Sequence, residues 1–176
     1  MLKYKMLIHD KIKFSDGTTL YRIKACKDFE TETGRIIHKG EKGGYIEKVS
    51  NLTQAGNCWV ADNALVFDSA EISGNAFVYN EACVCGEAKV YGNAIVCNKA
   101  FIYGKSLIGD TARIYDKAKI CDSHIYDNAW IGGTVKVYNG ASVYGENCFC
   151  NNEQISGYTN IFELEVNQKD EPDICD

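Results

Sequence analysis

Between Val60 and Phe162 an aliphatic side chain returns at almost every sixth residue, and no other feature of the 176-residue chain restricts its fold so tightly. The units run VADNAL, VFDSAE, ISGNAF, VYNEAC and onward to ISGYTN. Position one is Val or Ile in all but Phe149, position three is Gly, Asp or Asn from Asp62 to Gly157, and position five is nearly always Ala. A β-branched residue suits a short strand with its side chain turned inward. Gly, Asn and Asp tolerate left-handed backbone, so a tight turn follows each strand. Alanine lets that corner approach the axis. Two residues of strand and a corner, repeated, cannot lie flat; they wind.

Six residues per side and three sides per coil predict triangular coils of parallel strands stacked about 4.8 Å apart. The sides from Val60 to Ile161 make about six such coils, an all-β fold. The pattern resembles the hexapeptide repeat of left-handed parallel β-helices, the fold of many bacterial acyltransferases. The left hand is implied by that resemblance alone, since the usual crossover rule favours the right.

Residues 1–53 read as a small antiparallel β cap. KYKMLI leads to a turn at Ser15-Asp16-Gly17, then TLYRIKA places Tyr21, Ile23 and Ala25 on one face, and RIIH and GYIE flank a Gly-rich turn. The cap is expected to seal the open end of a solenoid over 54–162. Residues 163–176, acidic and holding the one proline, are expected to form a tail that caps the other end before fraying. The stretches LYRIKACKDF (20–29), GGYIEK (43–48) and NLTQAGNCWV (51–60) resemble the lead-in of small phage and prophage proteins whose bodies are strings of G-N-A-x-V-x-G. The resemblance spans most of the chain and implies a phage or mobile-element origin.

No run of eighteen apolar residues exists, and the opening MLKYKMLIHDKIKF is charged throughout, so neither membrane insertion nor export is expected. Nine cysteines, an odd number without a secretion signal, read as reduced thiols in the cytoplasm of a host cell. Residues 1–50 hold 11 Lys/Arg against 7 Asp/Glu and the remainder 8 against 17, a basic head on an acidic body. The head's alternating lysines read as edge-strand protection, which leaves a small anionic ligand as a possible partner and argues against nucleic acid.

The residues flanking each inward Val or Ile point outward, and strands three units apart share a face. The first face stacks Trp59, Phe77 with Tyr79, Ile95, Tyr115 and Trp130; the upper second face carries Leu65, Phe67 and Phe101. So large an apolar strip predicts packing against further copies, a homotrimer by analogy with hexapeptide proteins, with Trp59, Phe77 and Ile95 buried only in the oligomer.

One unit is a residue short. From Ile120 to Ile125 the step is five, and His124 sits beside the gap, either in the corner normally held by Ala or in the outward position before Ile125. Hexapeptide acyltransferases generally use a histidine near a subunit boundary as general base, which makes His124 the weak catalytic candidate of this chain. His124, Tyr126, Tyr144 and Tyr91 share the third face and form the candidate ligand-binding set. The repeat carries no inserted loop to shape a pocket. Zinc held by three histidines, as in carbonic anhydrases of this fold, is disfavoured because His9 and His38 lie in the head. Cys83/Cys85 and Cys148/Cys150 place thiols on one side of a strand without metal-ligand spacing, and Lys39–Gly44 lacks the phosphate-loop pattern. No metal and no cofactor are expected. The reading is a non-catalytic oligomeric β-helix binding protein that masks a host protein or sequesters a nucleotide-like ligand, as a host-defence inhibitor would. The alternatives are a hexapeptide-type acyltransferase using acyl-CoA and a structural component of the virion.

Overall fold

A computed structural model of the chain describes residues 2–157 and 160–161; the expected acidic tail lies outside the described residues. Five strands form the head: β1 (Tyr4–Lys13), β2 (Thr19–Ala25), β3 (Phe29–Glu30), β4 (Ile36–Ile37) and β5 (Lys42–Ile46). Strands of two or three residues then follow from β6 (Trp59–Val60) to β23 (Asn160–Ile161). They stack in three parallel sheets, one per face, so the chain is a parallel β-solenoid of about six turns.

The columns of the repeat map directly onto this geometry. The position-one Val and Ile side chains from Val60 to Val143 are fully buried. Each contributes roughly 1.5–3 kcal/mol of apolar burial, offset in large part by the entropy of ordering the chain. Third positions hold positive φ, from Asp62 (54°) and Asp68 (56°) to Gly145 (78°), with Asn151 the exception. Asn and Asp occupy this region at modest cost because their short polar side chains bond locally. Here those side chains bond from coil to coil: Asn80 Nδ2 donates to Asn98 Oδ1 (2.9 Å), and Asn98 Nδ2 to Asp116 Oδ1 (3.1 Å). The Ala corners from Ala64 to Ala141 are buried against the axis.

The short unit is absorbed at its corner. Ser123 takes the buried place of Ala, its hydroxyl donating to the Cys121 carbonyl (2.8 Å), and His124 takes the outward position on β17 (His124–Ile125). Pairs that span the deletion, such as Leu107↔His124 and Arg113↔Trp130, are 17 residues apart, and at His124↔Ser142 the spacing is 18 again.

The head is not merely placed over the solenoid; its last strand and Leu52 form the solenoid's first partial coil. Strands β1, β2 and β5 form an antiparallel meander, and β5 then runs parallel to β7 (Leu65–Val66), pairing Tyr45 with Leu65 and Ile46 with Val66. Leu52 bridges Ile72 in the same sense. Ile46 and Leu52, six residues apart, thus occupy two sides of a coil preceding Val60. The second face consequently extends into a nine-stranded sheet. Gly43 and Gly44 let β5 approach this closely: a Cβ on Gly43 would lie 2.5 Å from the Val60 carbonyl, and one on Gly44 2.6 Å from that of Ala64. Buried Asn51 completes the joint, with Nδ2 donating to the carbonyls of Asp68 (3.1 Å) and Ala70 (2.8 Å) and Oδ1 accepting from the Lys48 amide (2.8 Å).

Tyr4, 1% exposed, donates its hydroxyl to the Leu52 carbonyl (2.6 Å). Burial pushes this phenol up to about 12. Because the folded value is raised, the stabilisation is present below the unfolded value near 10 and is lost as pH rises through 12. The stability advantage of the wild type over Tyr4→Phe is therefore expected to be about 1 kcal/mol at neutral pH, to disappear above about pH 10 and to reverse by about pH 12. Urea titrations of both proteins across that range check it; a pH-independent difference would show that the hydroxyl stays exposed to solvent.

Candidate functional site

The upper part of the first face is already covered, and by the protein's own head. Trp59 is fully buried, with the ring edges of Phe29 (5.3 Å) and Tyr4 (6.4 Å) against it. Phe77 is 2% exposed, stacked on Tyr79 at 4.6 Å, and Ile95 is 8% exposed. The expectation that Trp59, Phe77 and Ile95 become buried only in an oligomer is thus corrected: they are buried within one chain. The β3–β4 hairpin reaches down this face. Arg35 pairs with Asp62 (3.5 Å), and Glu32 and Thr33 share a groove with Ile95 and Arg113. Sequence reading placed the RIIH strand but had no signal for where its hairpin would land. Further along, Arg113 stacks on Trp130 (4.8 Å), and the Tyr115 ring lies over Gly132, where any Cβ would collide with it. Burial raises the Tyr115 hydroxyl above the usual phenol range, with Cys148 and Cys150 adding to the shift.

The second face stays open beyond the first coil. Phe14 of the head touches Phe67 (6.1 Å), and past it Cys83, Phe101 and Tyr103 are only half-buried, the last two stacked at 4.8 Å. Hydrogen bonding between Cys83 and Cys85 raises the first thiol above its ordinary value and lowers the second. Below them the face turns basic. Lys119 and Lys136 are direct register partners in a groove shared with Tyr103, Cys121, Tyr138 and Gln154. Like charges side by side on adjacent strands repel. Among the described residues neither lysine meets a carboxylate within 4 Å. The resulting strip is apolar at its upper end and cationic below. Sequence reading recorded its residues without recognising the lysine pair as a site, although both lysines were legible in the same column.

The third face carries His124, exposed and flanked in register by Leu107 and Ser142. Its ring has no hydrogen-bond partner among the described residues, so nothing orients it as a base must be oriented. Tyr126 and Tyr144 stack on each other at 5.3 Å and 10°, and Tyr91 lies over Gly109. The four residues do share one face. The grooves lined by Asp62, by Lys5, by Lys119 and by Arg113 do not bring them together with a catalytic partner. His9 lies on β1 and His38 follows β4, on elements separate from His124. The Lys39–Gly44 turn presents its two final glycines to the first coil, leaving no cradle for a phosphate.

No protein-family model matches the chain. It is 39% identical over 82 residues to the "Uncharacterized acetyltransferase YdcK" of Escherichia coli (strain K12), a match covering 42% of this chain and 23% of that protein. The chain therefore spans about a quarter of the length of the curated relative it matches. The likeness agrees with a hexapeptide-type parallel solenoid.

Proposed function

We propose that the protein is a non-catalytic, self-associating binding scaffold whose working surface is the second face. The supporting observation is the composition of that face: Phe101 and Tyr103 half-buried above a paired Lys119 and Lys136, on a sheet that no loop among the described residues encloses. The open apolar part of the strip, Phe101 with Tyr103, meets another copy in a homotrimer, and the lysine end meets an anionic group of a host protein or a small nucleotide-like ligand. The phage-like lead-in makes host machinery the target in this reading.

Native mass spectrometry of protein purified gently from infected cells tests it. A trimer is expected, and Phe101→Asp, at a half-buried surface position, is expected to give monomer while keeping the wild-type melting temperature within a few degrees. A wild-type monomer would sink the assembly.

A second reading, acyl transfer from acyl-CoA with His124 as base, is favoured by the likeness to a protein named as an acetyltransferase. The two readings separate cleanly. Under the scaffold reading His124→Ala changes stability by less than about 0.5 kcal/mol and leaves complex formation intact. Turnover of acetyl-CoA by the wild type that His124→Ala abolishes would establish the second reading instead.

A further inference from the structure

Two nucleophilic side chains meet inside the joint between the head and the first coil. Lys3 is 1% exposed and Cys58 fully buried, and Nζ stands 3.1 Å from Sγ. The remaining partners of Nζ are the carbonyls of Ala55 and Gly56, each at 3.3 Å, with the Phe29 ring 6.0 Å away. A buried lysine is ordinarily matched by an acid. Among the described residues no carboxylate lies within 4 Å of this one. Thr53 Oγ1, at 3.4 Å, is the other side-chain group on the sulfur.

We propose that Lys3 and Cys58 form an oxidative N–O–S cross-link, Nζ joined to Sγ through a single oxygen atom supplied by dioxygen. The amine, the thiol and one dioxygen give the linked pair and one water. The amine N–H and the thiol S–H break, N–O and O–S bonds form, and nitrogen and sulfur each give up two electrons to the four-electron reduction of dioxygen. Burial favours the neutral amine that the step consumes, lowering Lys3 from its ordinary value against the opposing pull of Cys58. One bridging oxygen leaves the two atoms near their present separation, whereas a direct N–S bond would require them to close much of it. Dioxygen is small enough to enter as the end of β1 opens, and Leu2, one residue ahead of Lys3, is 60% exposed.

The link would bind residue 3 to residue 58 and fix the head covalently on the first coil. By loop-closure entropy it is expected to raise the melting temperature by roughly 10 °C.

The test compares the full-length chain kept under air with the same chain kept anaerobic in dithiothreitol, by intact mass and peptide mapping. The aerobic protein is expected to be about 14 Da heavier, one oxygen gained and two hydrogens lost. The peptide holding Lys3 should be joined to that holding Cys58, with the oxygen derived from isotope-labelled dioxygen and the link reversed by dithiothreitol. Lys3→Arg and Cys58→Ser should both lack it. Recovery of Cys58 from aerobic wild-type protein without a link to Lys3, a link that contains no oxygen, or the same mass gain in Lys3→Arg would each overturn the proposal. Peptide mapping of the wild type decides the matter even if a variant fails to fold.

Discussion

Trp59→Ala is expected to lower the unfolding free energy by about 4 kcal/mol, among the largest losses a single truncation can cause here. The indole is fully buried where three parts of the chain converge: Tyr4 from β1, Phe29 from β3 and the start of the first coil. Its removal leaves a cavity that the surroundings cannot close, because Gly43 already brings β5 against the same ring, with its Cβ position 2.7 Å from Trp59 Cζ2. The β3–β4 hairpin should then leave the first face. Urea unfolding followed by circular dichroism measures the loss, and the remaining tryptophan, Trp130 under Arg113, reports whether the later coils stay folded. A loss below about 1 kcal/mol would mean that the head is seated by its backbone pairing alone.

Asn51→Leu should cost nearly as much for a different reason. The wild-type amide satisfies two carbonyls and one amide proton in a fully buried position. Leucine fills the space and leaves those groups without partners. At about 1–3 kcal/mol for each stranded group, and allowing for partial relaxation, a loss of about 3–4 kcal/mol is expected. Hydrogen exchange should place the opening at the joint, with faster exchange at the Lys48 and Leu52 amides and little change beyond the second coil. Uniform acceleration along the whole solenoid would show instead that the joint and the coils unfold as one unit.

Much of this architecture is written in the sequence because each column has one physical task. Val and Ile at position one, Gly, Asn or Asp at position three and Ala at position five specify the core, the left-handed corner and its close approach. The head is harder to read. Ile46 and Leu52 keep the period of six, but two additional residues before Val60 break the phase, so a partial coil looks like a separate cap. The first face misleads for a related reason. Its upper residues, Trp59 and Ile95, lie against a hairpin distant in sequence, and the repeat pattern cannot distinguish a surface covered in cis from one covered by another copy. His124 had two placements at the stutter, and packing decides between them: the small Ser123 fits the corner against the axis, and the imidazole stays outside.

The stutter also shows how this kind of chain can change. Losing one residue between Ile120 and Ile125 alters the spacing of the pairs that straddle it, while every inward side chain before and after keeps its partner. A flat sheet would answer the same loss by turning one whole strand inside out. Corners of the solenoid therefore act as expansion joints that confine an insertion or deletion to a single turn. Length becomes a quantity that evolution can adjust by residues or by entire coils, with the chemistry of each face carried along unchanged.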